Sequence, residues 1–217
     1  MVDITIYVEG IQSDNPAVLT VGNSSAFREN FHKLFSQRLS SAEFNLRIKP
    51  FGTVTQTKKM LKHIKNQGIN AALLIDLDAP KEKRNERLNR YKPFDTINIF
   101  FMIQEMEAWI LSQVDQIEKF GENEGLIRKK SEENINNNPL LKNKHPEQIS
   151  KPSKKLDTIL RQYFDIVKIR RNKERKIGKR YSKAKDAPKL IGLLKLPILM
   201  QKFDEVMGLI DYVEMSK

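Results

Sequence analysis

Apolar positions in the first half of this chain switch repeatedly between the spacing of strands and that of helices. "ITIYV" (4–8) is a β-branched run that stops at Glu9-Gly10, as a strand does. "SSAFRENFHKLFSQRL" (24–39) sets Phe27, Phe31, Leu34 and Phe35 on one helical face, with Ser24 or Ser25 as the N-cap. "FNLRIKPF" (44–51) alternates and predicts a half-exposed strand. "TVTQTKKMLKHIKNQG" (53–68) returns to helical spacing, and Gly68 is placed to end that helix in the left-handed conformation. "AALLID" (71–76) and "INIFFMI" (97–103) are apolar on both faces, as central parallel strands are. Strand–helix–strand order predicts an α/β fold, an open parallel sheet flanked by helices.

The second half differs in texture. "EMEAWILSQV" (105–114) begins a helix directly after the 97–103 strand, and 133–152 is polar, rich in Asn and carries three prolines. Helical spacing returns at 153–164 and at about 186–214. These shifts predict an α/β core over 1–115 and a mainly helical, basic region over 116–217 packed on it.

Composition then narrows the function. The 217 residues carry 39 Lys or Arg against 27 Asp or Glu, a formal charge of +12. Such an excess favours polyanionic partners, nucleic acid above all. Between Lys168 and Lys185 there are ten basic residues and one acid, Glu174. Arg170, Arg171, Arg175, Lys179, Arg180 and Lys185 of this tract are expected to contact phosphates, the bland reading being a mobile basic loop. With no cysteine, thiolate zinc sites, disulfides and cysteine nucleophiles are excluded. No apolar run reaches membrane-spanning length, and the chain enters a strand pattern without a leader, so a cytoplasmic location with no membrane partner is expected.

Acids close every predicted core strand. Glu9 ends the first, Asp76 and Asp78 the central one, and Glu105 and Glu107 follow the third. Ligands of open parallel sheets gather at the carboxyl ends of the strands, so these five acids are expected to converge on one edge. Side chains two apart along a strand point the same way, so Asp76 and Asp78 are expected to be pushed together at its lip and to repel each other. An oxygen-only donor set suits Mg²⁺ or Mn²⁺, which share their coordination with substrate phosphates. His32, His63 and His145 lack any paired ligand spacing and read as ordinary helix or loop residues. Trp109 reads as core, and Tyr181 as either a packing residue or a base-stacking platform. Glu9 is a candidate metal ligand or general base.

"IYVEG" followed by "LLIDLDAP" resembles the Toprim (topoisomerase–primase) pattern, a glutamate after the first strand and a DxD after a later one. The likeness extends to nucleases of the overcoming-lysogenisation-defect class and to small bacterial Toprim-like proteins often encoded beside ABC-type ATPases. "QEMEAW", "HPE" (145–147), "PSKKL" (152–156) and "YSK" (181–183) through "DAP" (186–188) are similar to further blocks of the small proteins. The resemblance implies a Toprim-like Rossmannoid fold and a Mg²⁺-dependent nuclease cleaving DNA or RNA. It also implies a role in anti-phage defence beside an ABC/SMC-type ATPase. It makes Glu9, Asp76, Asp78, Glu105 and Glu107 the metal ligands and Lys183 the catalytic cation, with Lys185 as the fallback. A second acid after the first glutamate is matched only by the displaced Asp14. The alternative is a non-catalytic nucleic-acid-binding or scaffold subunit. A DxD phosphatase or nucleotidyl-sugar transferase is disfavoured, because the DxD is not on the first strand and the charge suits a polymer.

Overall fold

The computed structural model describes residues 1–10, 20–170 and 173–217. Four strands form a parallel sheet: β1 (Val2–Val8), β2 (Phe44–Pro50), β3 (Ala71–Asp76) and β4 (Ile99–Met102), in the order β2-β1-β3-β4. Alternation along them divides the core. Ala72 and Leu74 face one layer, with Ile4, Ile6 and Val8. Ala71, Leu73 and Ile75 face the other, with Tyr7 and Phe101. The second layer is covered by α2 (Thr57–Gln67) through Leu61 and Ile64, and by Leu88 of α3 (Arg84–Asn89). The first is covered by α1 (Thr20–Phe35) and by most of the C-terminal half.

That half contains α4 (Glu107–Leu111), α5 (Val114–Asn123), α6 (Pro152–Tyr163), α7 (Asp186–Ile191), α8 (Leu196–Lys202) and α9 (Asp204–Glu214). It is not only helical. β5 (Ile127–Arg128), β6 (Phe164–Arg170) and β7 (Lys173–Gly178) make an antiparallel sheet in that order. The first part of the basic tract, whose bland reading is a mobile loop, is therefore a β-ribbon, because Ile166, Val167, Ile169 and Ile177 supply β-branched positions between its charges. Gly68 ends α2 at φ 58°, as expected. Helix α1 begins earlier than its sequence suggests, so Ser24 and Ser25 lie inside it. Trp109 is in the core, its ring 6.3 Å from that of Phe203. No described helix is long and apolar enough to cross a membrane.

The two edges of the parallel sheet are protected differently. β2 ends in Pro50 and turns Arg47 and Lys49 to solvent, which discourages strand addition. β4 is sealed by α9: the buried Glu205 carboxylate accepts the Phe101 N–H at 3.0 Å and pairs with Arg84.

Gly121 of α5 lies where a Cβ would press into the buried ring of Phe164 at the root of β6. Alanine gains about 1 kcal/mol of helix propensity over glycine, but overpacking costs up to ~3 kcal/mol. Gly121→Ala should therefore destabilise the fold by about 2 kcal/mol, read as a lower urea midpoint with unchanged m-value. A more stable variant would show that the α5–β6 contact is loose.

Candidate functional site

The carboxyl ends of β1 and β3 meet at one lip. Gly10 N–H donates to the Gly52 carbonyl at 3.0 Å and joins the chain after β1 to the chain after β2. A Cβ on Gly10 would stand 3.1 Å from the Phe27 ring, a tight contact that the ring would have to ease to admit a larger residue after Glu9. Glu9 is thereby held under two backbone donors, Val54 N–H at 3.1 Å and Asp76 N–H at 3.0 Å. Burial still raises its pKa, against those two hydrogen bonds.

Asp76 is the last residue of β3 and continues the alternation that turns Ala72 and Leu74 towards the C-terminal half. One of its oxygens accepts Met106 N–H at 2.9 Å, and the other lies 3.3 Å from the Lys183 ammonium. Glu107, fully buried at the start of α4, accepts the Tyr181 hydroxyl at 2.8 Å on one oxygen. Among the described residues its second oxygen has no hydrogen-bond partner, and it lies 3.8 Å from Lys183. Lys183 is thus shared by two carboxylates from different elements, while its side chain stays half exposed.

Burial dominates the electrostatics. It pushes Asp76 up to about 7, with Lys183 opposing and Glu107 and Glu9 adding to the rise. Burial also raises Glu107, against Lys183 and the Tyr181 hydroxyl. Lys183 loses hydration, which works against its charge, but Asp76 and Glu107 outweigh that loss and hold its pKa above the usual value. The Tyr181 hydroxyl is kept protonated by burial and by Glu107. A cavity of about 320 Å³ opens beside these groups, with Glu9, Asp76 and Lys183 at its polar end and Phe27, Met102 and Met106 on its apolar walls.

Other expected ligands sit differently. The strand stops at Asp76, and Asp78 adopts φ 53° and is exposed. The alternation that would have paired the two aspartates does not extend that far, although the Asp78 charge still presses on Asp76 and Glu9. Glu105 caps another element: its carboxylate accepts Ser153 N–H at 2.7 Å, in the first turn of α6, where Lys151 supplies no side-chain cap. Among the described residues, no three His, Asp or Glu side chains are gathered around one metal position. Lys183 stands at the meeting point of Asp76 and Glu107 instead. Asp14 lies outside the described residues.

The other "YSK…DAP" residues build the support. Lys179, expected to face phosphates, is nearly enclosed and pairs with the buried Asp186 at 2.6 Å. Asp186 also accepts Ser182 N–H at 2.8 Å, which fixes the turn that presents Lys183. Tyr181 packs and hydrogen-bonds to Glu107, and the Tyr181 N–H is held by Asp157 of α6 at 2.9 Å. Lys185 is exposed and makes no ion pair among the described residues. His145 caps the short Pro146–Gln148 turn and lies against Phe203. Of the basic tract, Arg175 and Arg180 are exposed, Arg170 is placed by its backbone alone, and Arg171 lies outside the described residues.

Fold and site define a class: an α/β protein whose parallel sheet carries a carboxylate–lysine cluster at the carboxyl ends of its strands. The chain belongs to the DUF4276 family, described as a domain of unknown function, which it matches over residues 24–214. Glu9 precedes the matched span, whereas Asp76, Glu107 and Lys183 lie within it. No curated protein and no solved structure gives a significant match.

A raised carboxyl pKa has a definite sign for stability. Native Asp76 keeps its proton to about 7, whereas the group ordinarily loses it near 3.8, so between these values the folded state binds more protons. In metal-free buffer, stability from this group is full below the lower value and is lost as pH rises through about 7. Asp76→Asn should flatten that decline and melt higher than the wild type at pH ~8. Parallel melting curves for the two proteins across this range would contradict the assignment.

Proposed function

We propose that this protein is a Toprim-type, Mg²⁺- or Mn²⁺-dependent nuclease that hydrolyses DNA or RNA phosphodiesters. The observation that carries the reading is the sharing of Lys183 by Asp76 and Glu107, with Glu9 beside them, where open parallel sheets bind ligands. The order of motifs in the sequence and the basic charge support it.

The donor set fits a hard divalent cation. It is all oxygen, one buried Glu107 oxygen lacks a hydrogen-bond partner among the described residues, and burial leaves three carboxyls short of positive charge. Asp76, Glu107 and Glu9 would hold the metal, and the exposed Asp78 would join from the loop after β3. When bound, the metal supplies Lewis-acid stabilisation of charge developing on the phosphodiester.

The chain's own groups do the rest. Backbone donors from Val54 and Asp76 aim Glu9. Tyr181 fixes the rotamer of Glu107 through its hydroxyl. Lys183, half exposed, offers its ammonium to phosphoryl oxygens that gain charge only in the transition state, where such a cation acts on turnover. Where Glu9 does not ligate the metal, it is instead the candidate base for the attacking water, its raised pKa being suited to accept a proton. The same resemblance supports a separately encoded ABC-type ATPase as partner and a role in anti-phage defence.

The test is cleavage of labelled DNA and RNA by purified protein with Mg²⁺ or Mn²⁺, alone and with the candidate ATPase. Asp76→Asn should abolish cleavage while the protein stays folded. Lys183→Ala should lower kcat by ~10²-fold or more with little change in affinity. Nucleic-acid binding with no metal-dependent cleavage under any condition would replace this reading with that of a non-catalytic binding subunit.

A further inference from the structure

Strands β6 and β7 form an arm whose outer residues, Val167–Ile169 and Lys173–Ile177, are exposed on both faces. The register sets Ile166 opposite Ile177, Val167 opposite Lys176 and Lys168 opposite Arg175. Directly opposed residues share a face, and successive pairs alternate between faces. One face therefore carries the isoleucine pair with Lys168 and Arg175, and the other carries Val167 with Lys176 and Ile169 with Glu174.

The first face borders a groove of about 840 Å³ whose opposite wall includes α6. Lys168 and Ile177 line it from the arm, Thr158 and Arg161 from α6, and Lys129 and Arg180 from the segments beside the sheet. Carboxylates neutralise part of this charge: Asp165 lies 2.8 Å from Lys129, and Asp157 lies 3.7 Å from Arg161. Among the described residues, Lys168, Arg175 and Arg180 make no ion pair. Like charges directly opposed across two strands destabilise a sheet, and Lys168 opposes Arg175 without an intervening acid. A bound polyanion removes that penalty.

The chain leaving the groove runs from Arg180 to Lys183, a reach of at most ~10 Å, or about three nucleotide rises of 3.4 Å along a strand. We propose that this groove binds the phosphodiester backbone of a nucleic-acid strand and leads it to the carboxylate–lysine cluster. The destination rests on the nuclease reading; binding in the groove does not require cleavage. Aliphatic Ile166 and Ile177 on the same face pack against sugars, while the cations take the phosphates. DNA and RNA share this chemistry, as do single strands and duplexes.

The test compares charge reversals that change net charge equally and differ only in which surface they occupy. Lys168→Glu and Arg161→Glu alter the groove, whereas Lys176→Glu alters the opposite face of the same arm. Lys168→Glu places an acid opposite Arg175, an attractive pair, so lost binding cannot be ascribed to a damaged arm. Binding is measured in EDTA with labelled single-stranded DNA, single-stranded RNA and duplex DNA across a salt series. For the probe that binds best, each groove variant should weaken binding about tenfold and reduce the magnitude of the salt slope by about one. Lys176→Glu should weaken binding by less than about threefold. Equal losses at Lys168 and Lys176, or no binding of any probe by the wild type, would overturn the groove assignment. Absence of metal-dependent cleavage by the wild type with this binding pattern intact would count against the nuclease reading alone.

Discussion

Carboxylates buried between a sheet and the helices packed on it need either protons or cations, and this constraint organises the molecule. Asp76 belongs to the sheet, Glu107 to the first helix beyond it, and Lys183 arrives from more than seventy residues further along the chain. An isolated buried carboxylate in a low-dielectric interior is costly, whereas a shared ammonium with backbone donors makes it tolerable. The turn carrying Lys183 must therefore be placed accurately, and the Lys179–Asp186 pair and the Ser182 N–H bond to Asp186 do this. Tyr181 then ties the same turn to Glu107. Replacing a buried pair with apolar residues is often neutral or stabilising, so stability alone does not account for so much ionisable chemistry at one lip.

The site and the arm are one continuous construction. Phe164 anchors β6 beneath α5, β7 returns from the exposed end, and the chain passes within a few residues to Lys183. Glu105 contributes indirectly, because capping α6 fixes the helix that carries both Arg161 of the groove and Asp157, which holds Tyr181. The glutamates two residues apart at the start of α4 thus have different tasks, one positioning a helix and the other joining the buried cluster.

How much of this was legible in the sequence depended on which forces were local. β3 and β4 showed themselves because a strand of a covered parallel sheet is apolar on both faces, and β2 did so through its alternation. Gly68 marked its helix end for an equally local reason. Acid after β1, β3 and β4 indicated the edge where Glu9, Asp76 and Glu107 sit. Lys183 was singled out by resemblance, since its basic neighbours look equivalent in composition. The position of Asp78 was not legible, because the alternation argument assumes a strand that the backbone leaves at Asp76. The β-ribbon was hidden by its charge, which masked the spacing of Ile166, Val167, Ile169 and Ile177. Lys129 of the groove is far from the basic tract in sequence and meets it through the antiparallel register, whereas Arg161 comes from the helix just before β6. The start of α1 at Thr20 runs against local propensity, with Gly22 and Asn23 in its first turn.

The seal on β4 has a bearing on how the protein is made. Phe101 N–H and its acceptor Glu205 are separated by 104 residues. During synthesis at about 5–20 residues per second, the edge of a nearly complete apolar sheet waits ~5–20 s for the helix that closes it. A nascent chain in that interval presents an open strand to its neighbours on the same message. The late arrival of one carboxylate thus sets the period in which crowded ribosomes, or a chaperone, decide the yield of folded protein.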